Sequence, residues 1–307
     1  MEFRNGAVTP ISERHPPVCG TLAKQDIGRL LLHCADRPGL VAAVSAFLAR
    51  AGANIVSLDQ HSTQQTGGIF MQRTIFHLPG LSTARDALER DFAEQVASRF
   101  SMDFTLTEAE RPKRVAIIAS TADHCLLDLL WRNRRGELDM SVAMVISNHP
   151  DLADQVHPFG VPFVHVPSTK DIRAQAEQRQ LEMLRDDIDL VVLARYMQIL
   201  SPQFLDEIGC PLINIHHSFL PAFVGAAPYR RAKERGVKLI GATAHYVTES
   251  LDEGPIIEQD VVRVDHRHDV GDLTRLGADV ERAVLSRAVL WHCEDRVIRN
   301  GNQTIVF

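Results

Sequence analysis

The sequence predicts an α/β protein in two parts: a ferredoxin-like βαββαβ unit followed by a doubly wound, mostly parallel sheet. Three observations carry this. Strand-like and helix-like apolar periods follow the order βαββαβ within residues 25–108, fewer than ninety residues. After a charged, proline-containing break, short apolar runs alternate with amphipathic stretches, the pattern of a parallel sheet covered on both faces. A chain of 307 residues is also long enough to fill two cores.

Taken in order, residues 1–24 are rich in proline and polar groups and read as a flexible extension without a signal-peptide core. Leu30-Leu31-Leu32-His33 reads as a buried strand. Asp36 is placed to cap the helix that follows, with Pro38 in its first turn. Val41, Val44, Phe47 and Leu48 form its apolar stripe, and Gly52 stops it. Strands at 54–62 and 69–77 flank the Gly67-Gly68 turn. A second helix at 83–100 buries Leu88, Phe92 and Val96, and Phe104-Thr105-Leu106 closes the unit.

Pro112 and its charged neighbours break both periods, placing a linker at 109–114 and a second domain at 115–307. Strands are expected at Val115–Ile118, Val142–Ile146, Phe163–Val166 and Leu190–Leu193. Helices are expected at 123–134 and 170–185. Sites in such sheets lie beyond the carboxyl ends of the strands.

Composition narrows the function classes. The net charge of −6 leaves no basic footprint for nucleic acid or anionic membrane. No apolar run approaches the roughly 18 residues of a membrane span. Five scattered cysteines without a CxxC pair suggest reduced thiols and a cytoplasmic protein, not a disulfide frame or zinc site.

The chemistry concentrates between Leu212 and Asp265. Asn214 and His216, two apart on a short strand after Pro211-Leu212-Ile213, project together at its end. An amide donor beside an imidazole suits carbonyl chemistry, because one stabilises an oxyanion and the other moves a proton. Asp252 is the candidate third member, placed to orient or activate the attacking group. A metal site built from His217, His245, His266 and His268 is not expected. Adjacent His216 and His217 should face opposite ways, and His245 better serves to support the Asp252 loop.

The ordered set Asn214-Ile-His-His217-Ser-Phe-Leu-Pro221, Gly241-Ala-Thr-Ala-His245-Tyr-Val247 and Asp252-Glu-Gly-Pro-Ile-Ile257 resembles the core of the folate-dependent formyltransferase family. That family includes glycinamide ribonucleotide transformylase and methionyl-tRNA formyltransferase. With Gly225-Ala-Ala-Pro-Tyr229, the chain is most similar to the family's hydrolytic, deformylating branch. The resemblance implies a formyltransferase-type catalytic domain acting on 10-formyltetrahydrofolate in one-carbon metabolism and purine biosynthesis. No metal or permanently bound cofactor is implied. Asn214, His216 and Asp252 match the family's catalytic residues. Met197, Gln198, Ile199 and Leu200 match its pterin slot, closed on the other side by a loop that includes Val247, Thr248 and Glu249. On composition alone, Met197, Ile199 and Leu200 would be core.

Asp36-Arg-Pro-Gly-Leu40 and Ala53-Asn-Ile55 make the first unit similar to an ACT domain, which pairs edge to edge and binds small amino acids. Asp36, Gly39 and Asn54 are therefore candidate effector residues; the alternative is that the unit only dimerises the chain. A homo-oligomer, dimer or tetramer, is expected. The segment Ser120–His124 lacks the Gly-rich turn that transformylases of phosphorylated amines carry, and His217 stands where those enzymes have proline. Both favour water as acceptor. Thr121 and Ala227 depart from the deformylase pattern of Lys and Arg, which keeps an alternative acceptor, a small amine, in view. A non-catalytic folate or amino-acid sensor is the third reading, opposed by the intact Asn214, His216 and Asp252.

Overall fold

A computed structural model describes residues 24–185, 187–221 and 228–307. The expected flexible extension, up to residue 23, lies outside the described residues, as do Gly225 and Ala227. The N-terminal unit runs β1 (Ile27–Ala35), α1 (Leu40–Arg50), β2 (Asn54–Ser62), β3 (Ile69–His77), α2 (Leu81–Phe92), a π-helical turn (Ala93–Ala97), α3 (Ser98–Phe100) and β4 (Asp103–Glu108). Its sheet is antiparallel in the order β2-β3-β1-β4. Leu30, Leu32 and Phe76 from the strands meet Val44, Phe47 and Phe92 from the helices. The Phe47 and Phe92 rings meet edge-on at 5.2 Å.

Two local expectations are corrected here. Asp36 does not cap α1: Gly39, at φ 96°, takes the N-cap position, and Asp36 instead accepts a hydrogen bond from the Ser62 hydroxyl. The left-handed turn at Gly39 re-aims the chain before the helix, so Asp36 stays at the strand end. The helix expected at 83–100 is interrupted by the π-helical turn at Ala93–Ala97.

The second unit contains β5 (Lys113–Ala119), α4 (His124–Arg134), β6 (Met140–Ser147), α5 (Ala153–Val156), β7 (Phe163–His165), α6 (Arg173–Leu184), β8 (Leu190–Ala194), α7 (Pro202–Glu207) and β9 (Leu212–His216). It continues through α8 (Pro228–Arg235), β10 (Leu239–Tyr246), β11 (Ile256–Arg263), α9 (Val270–Cys293) and a terminal hairpin, β12 (Val297–Asn300) and β13 (Gln303–Val306). Because β5 begins at Lys113, the last two residues of the expected 109–114 linker lie in a strand. The main sheet has the order β11-β10-β9-β8-β5-β6-β7. Strands β5 to β9 pair in parallel, whereas β10 and β11 form an antiparallel edge.

Alternating residues of β5 feed two cores: Val115 and Ile117 pack with α4 and α9, Ala116 and Ile118 with α6 and α7. Helix α9 is started by a reciprocal cap between Asp269 and Asp272. It lays Val284, Leu285, Ala288 and Val289, all fully buried, on the sheet.

A buried ionic cluster joins the two units. Arg29 of β1 reaches Asp139 at 2.9 Å and Asp295 at 3.4 Å, and Lys113 meets Asp295 at 2.7 Å. Arg73 of β3 donates to the carbonyls of Asp295 (2.8 Å) and Glu294 (2.9 Å). Burial would raise the Asp139 carboxyl, but hydrogen bonds from Lys24 and Arg29 outweigh it and hold the group below its ordinary value. Among the described residues, no helix is long and apolar enough to cross a membrane.

Candidate active site

The chain leaves β5 toward β6 and β7, then returns to β8 on the other side of β5. That reversal is the topological switch point at which open α/β sheets form a crevice. The segments following β8 and β9 meet the loop after β10 and enclose a cavity of about 440 Å³. Asn214, His216 and Asp252 all line it, and so do Met197, Gln198, Ile199, Leu200, Val247, Thr248 and Glu249.

His216 Nδ1 lies 3.2 Å from Asp252 Oδ2. With that nitrogen donating to the carboxylate, Nε2 is left buried and without a hydrogen-bond partner among the described residues. The bond to His216 holds the Asp252 carboxyl below its ordinary value against the opposing effect of burial. Asn214 sits beside His245, its amide nitrogen 3.3 Å from His245 Nε2. His245 Nδ1 donates to the Tyr246 carbonyl at 2.9 Å, and burial lowers the ring's pKa despite that bond and the nearby Asp252. A neutral His245 with its lone pair on Nε2 therefore accepts from Asn214 and fixes the rotation of its amide. The hydrogen bond expected from His245 to the Asp252 loop is not made: its Nε2, which carries the lone pair that accepts from Asn214, stands 3.7 Å from Oδ1.

The loop carrying Asp252 is pinched at its base. Tyr246 N–H bonds the Pro255 carbonyl at 2.9 Å, and a Cβ on Gly254 would fall 1.8 Å from the Tyr246 carbonyl oxygen. Only glycine permits that approach. Asp252 itself has φ 57°, and Arg195 and Met197 both have φ 62°. Left-handed backbone at three non-glycine residues around one cavity is the kind of local strain that gathers at functional sites.

That backbone also explains a departure from core behaviour: Met197 and Ile199 are 62% and 57% exposed, turned into the cavity, while Leu200 is buried. Thr121, which follows β5, is exposed. The expectation that His216 and His217 face opposite ways is overturned. Strand β9 ends at His216, so His217 lies in the turn and its ring stacks on His216 with centroids 5.2 Å apart and 23° between planes. Burial, then Arg195 and His216, pulls His217 down to about 4, leaving it neutral near pH 7.

Behind His217 stands a cluster that sequence reasoning missed. Glu281 of α9, 2% exposed, accepts from His124 Nε2 (2.8 Å) and the Tyr229 hydroxyl (2.8 Å) and lies 3.4 Å from Arg195 Nε. Burial would raise Glu281, but these partners together hold it below its ordinary value. A Cβ on Gly277 would lie 1.9 Å from the Tyr229 hydroxyl, so glycine there admits the tyrosine. A buried glutamate in the middle of a helix was the available signal. His124, Cys125 and Glu281 also bring metal-type donor atoms within 4.8 Å of one another. His124 and Glu281 are already bonded to each other, and burial pushes the Cys125 thiol well above its ordinary value, away from the thiolate a metal needs.

The effector candidates separate. Asp36 and Gly39 line a cavity of about 470 Å³ with Gln60, His61 and Ser62. Asn54 does not join them: it pairs with His77 at the opposite end of the sheet. The strand's first residue cannot meet the pocket at its far end.

The fold and site define a class: a formyl transferase domain carried behind an ACT domain. Residues 113–289 match the formyl transferase family and residues 28–93 the ACT domain. The chain is 76% identical to formyltetrahydrofolate deformylase of Mycobacterium bovis over 282 residues, covering 92% of this chain and 91% of that one. The crystal structure of a formyltetrahydrofolate deformylase from Pseudomonas syringae superposes with a TM-score of 0.85 at 47% identity, covering 92% of this chain and 94% of that one. A glycinamide ribonucleotide transformylase from Symbiobacterium toebii shows a TM-score of 0.59 at 32% identity, covering 64% of this chain and 94% of its own. The chain belongs to the formyltetrahydrofolate deformylase family.

Proposed function

We propose that the protein hydrolyses 10-formyltetrahydrofolate to formate and tetrahydrofolate. The observation that carries this is the His216–Asp252 pair, with His216 Nε2 unpartnered beside Asn214 in a cavity whose walls match the expected folate slot. In this reading the apolar side chains of Met197, Ile199 and Leu200 hold the pterin, opposite Val247, Thr248 and Glu249.

Water's oxygen bonds to the formyl carbon, and the carbonyl oxygen becomes an oxyanion that the Asn214 amide stabilises. Such a donor is worth about 3–4 kcal/mol. His216, oriented by Asp252, passes one water proton to the folate nitrogen as the carbon–nitrogen bond breaks. The second proton leaves with the ionisation of formic acid. His217, neutral and stacked beside His216, offers a lone pair to hold the attacking water. The chemistry uses no metal and no permanently bound cofactor.

The N-terminal unit is the assembly and regulatory element. Its edge strand β2 is largely exposed, with Val56 at 38%, which suits edge-to-edge pairing into a homo-oligomer. The cavity at Asp36 and Gly39 would take a small amino acid. The activity is tested by supplying 10-formyltetrahydrofolate without any amine: formate should appear stoichiometrically with tetrahydrofolate. Turnover that begins only when an amine is added would replace this reading with formyl transfer.

A further inference from the structure

Arg195 is the sole Arg or Lys among the described residues that line the cavity. Its backbone is held in the left-handed region at φ 62° and its side chain is only 16% exposed. Nε is drawn to 3.4 Å from Glu281, yet neither Nε nor Nη1 has a hydrogen-bond acceptor among the described residues. A guanidinium stays charged at any working pH, and a buried charged donor without an acceptor is costly. Glu281, itself held by His124 and Tyr229, offsets part of that cost as a countercharge 3.4 Å from Nε.

The reaction creates an acceptor of the matching kind. Attack by water leaves the formyl carbon bearing two oxygens, and loss of the proton makes it a carboxylate. Transfer to an amine would instead leave a neutral formamide. A formate oxygen is such an acceptor, able to take a charge-assisted hydrogen bond from Nη1. We propose that Arg195 forms a subsite for the formate produced at His216, and that Glu281 is its positioning residue. The inference rests on the hydrolytic reading above. Arg195, His216 and His217 line the same cavity, and His217 is stacked on His216, so the subsite shares the cavity in which the bond breaks.

The test uses the full-length protein loaded with tetrahydrofolate and sodium formate as the probe, read by transfer of saturation from protein to the formate proton. Wild-type protein should bind formate. Arg195→Gln should weaken it at least tenfold while tetrahydrofolate affinity changes less than twofold. Glu281→Gln should weaken formate in the same direction, and Glu281→Asp should restore part of it, a pattern that simple loss of stability would not give. If Arg195→Gln is not recovered folded, Arg195→Lys decides the question, because a compact ammonium does not reproduce the guanidinium's fixed array of donors and should also weaken formate. Equal formate binding in a folded Arg195 variant and wild type overturns the proposal, as does a wild-type protein that releases formate in the assay yet binds none. A wild-type protein that releases no formate in that assay sinks the hydrolytic reading itself.

Discussion

At the scale of single residues, the site is a set of side chains each fixed by one identifiable partner. Asp252 holds His216, His245 holds Asn214, and Glu281 holds Arg195. Replacing Asp252 by Asn keeps the shape and removes the charge. Turnover should fall by about two orders of magnitude while folate binding persists; a folded Asp252→Asn protein with near-normal kcat contradicts the assignment. The histidines also set an acid limit on stability. His217 is drawn down to about 4, and His245 is lowered by burial, so both titrate below the ordinary value of about 6.5 in the folded protein. Between those values the unfolded chain binds more protons, so stability rises with pH there and falls on acidification. Asp252, also held low, extends the loss further into acid as its folded value is reached. The Tm should therefore drop as pH is lowered from about 6.5 toward 4, and His217→Gln should flatten part of the slope. A Tm independent of pH over that range would contradict this account of the rings.

Among the elements, the Asp252 loop shows how backbone geometry limits the side chain it carries. A methyl group on Gly254 would strike the Tyr246 carbonyl at the loop's base. Gly254→Ala should lower kcat at least tenfold by displacing Asp252, with a smaller loss of stability; full activity in that variant would mean the pinch is not what places the carboxylate. Periodicity made the elements themselves legible: β2 and β3 fall at 54–62 and 69–77 as the alternating runs indicate. The spacing of Asn214 and His216 was legible for the same reason, because a two-residue repeat on a strand fixes a common face. What pattern does not encode is where a strand stops. The end of β9 at His216 turns His217 onto the same side, and the left-handed φ at Met197 exposes a side chain that composition assigns to the core. A glutamate within α9 was open to view, but its role was not: its partner His124 lies 157 residues away, and no local pattern reports such a distance.

At the scale of the whole molecule, the ACT unit and the catalytic unit are joined by charge. Asp295 receives Arg29, Lys113 and the Thr107 hydroxyl (2.7 Å) at once, in a position that is 8% exposed. Removing one side of a buried ionic contact typically costs about 3–5 kcal/mol. Asp295→Ala should therefore destabilise the protein by roughly 3 kcal/mol in urea unfolding, and a change below about 0.5 kcal/mol, within ordinary surface-substitution effects, would show the contact to be incidental. A chain beginning at Pro112 should retain folate binding, since all of the described residues that line the active-site cavity follow it, while losing stability and its native oligomeric state. The central claim concerns the atom that attacks the formyl carbon, and turnover of 10-formyltetrahydrofolate in water enriched in oxygen-18 tests it most directly. The account predicts formate carrying one solvent oxygen per turnover, whether or not a small amine is present. Formyl carbon recovered on the amine, or formate without solvent label, would contradict it.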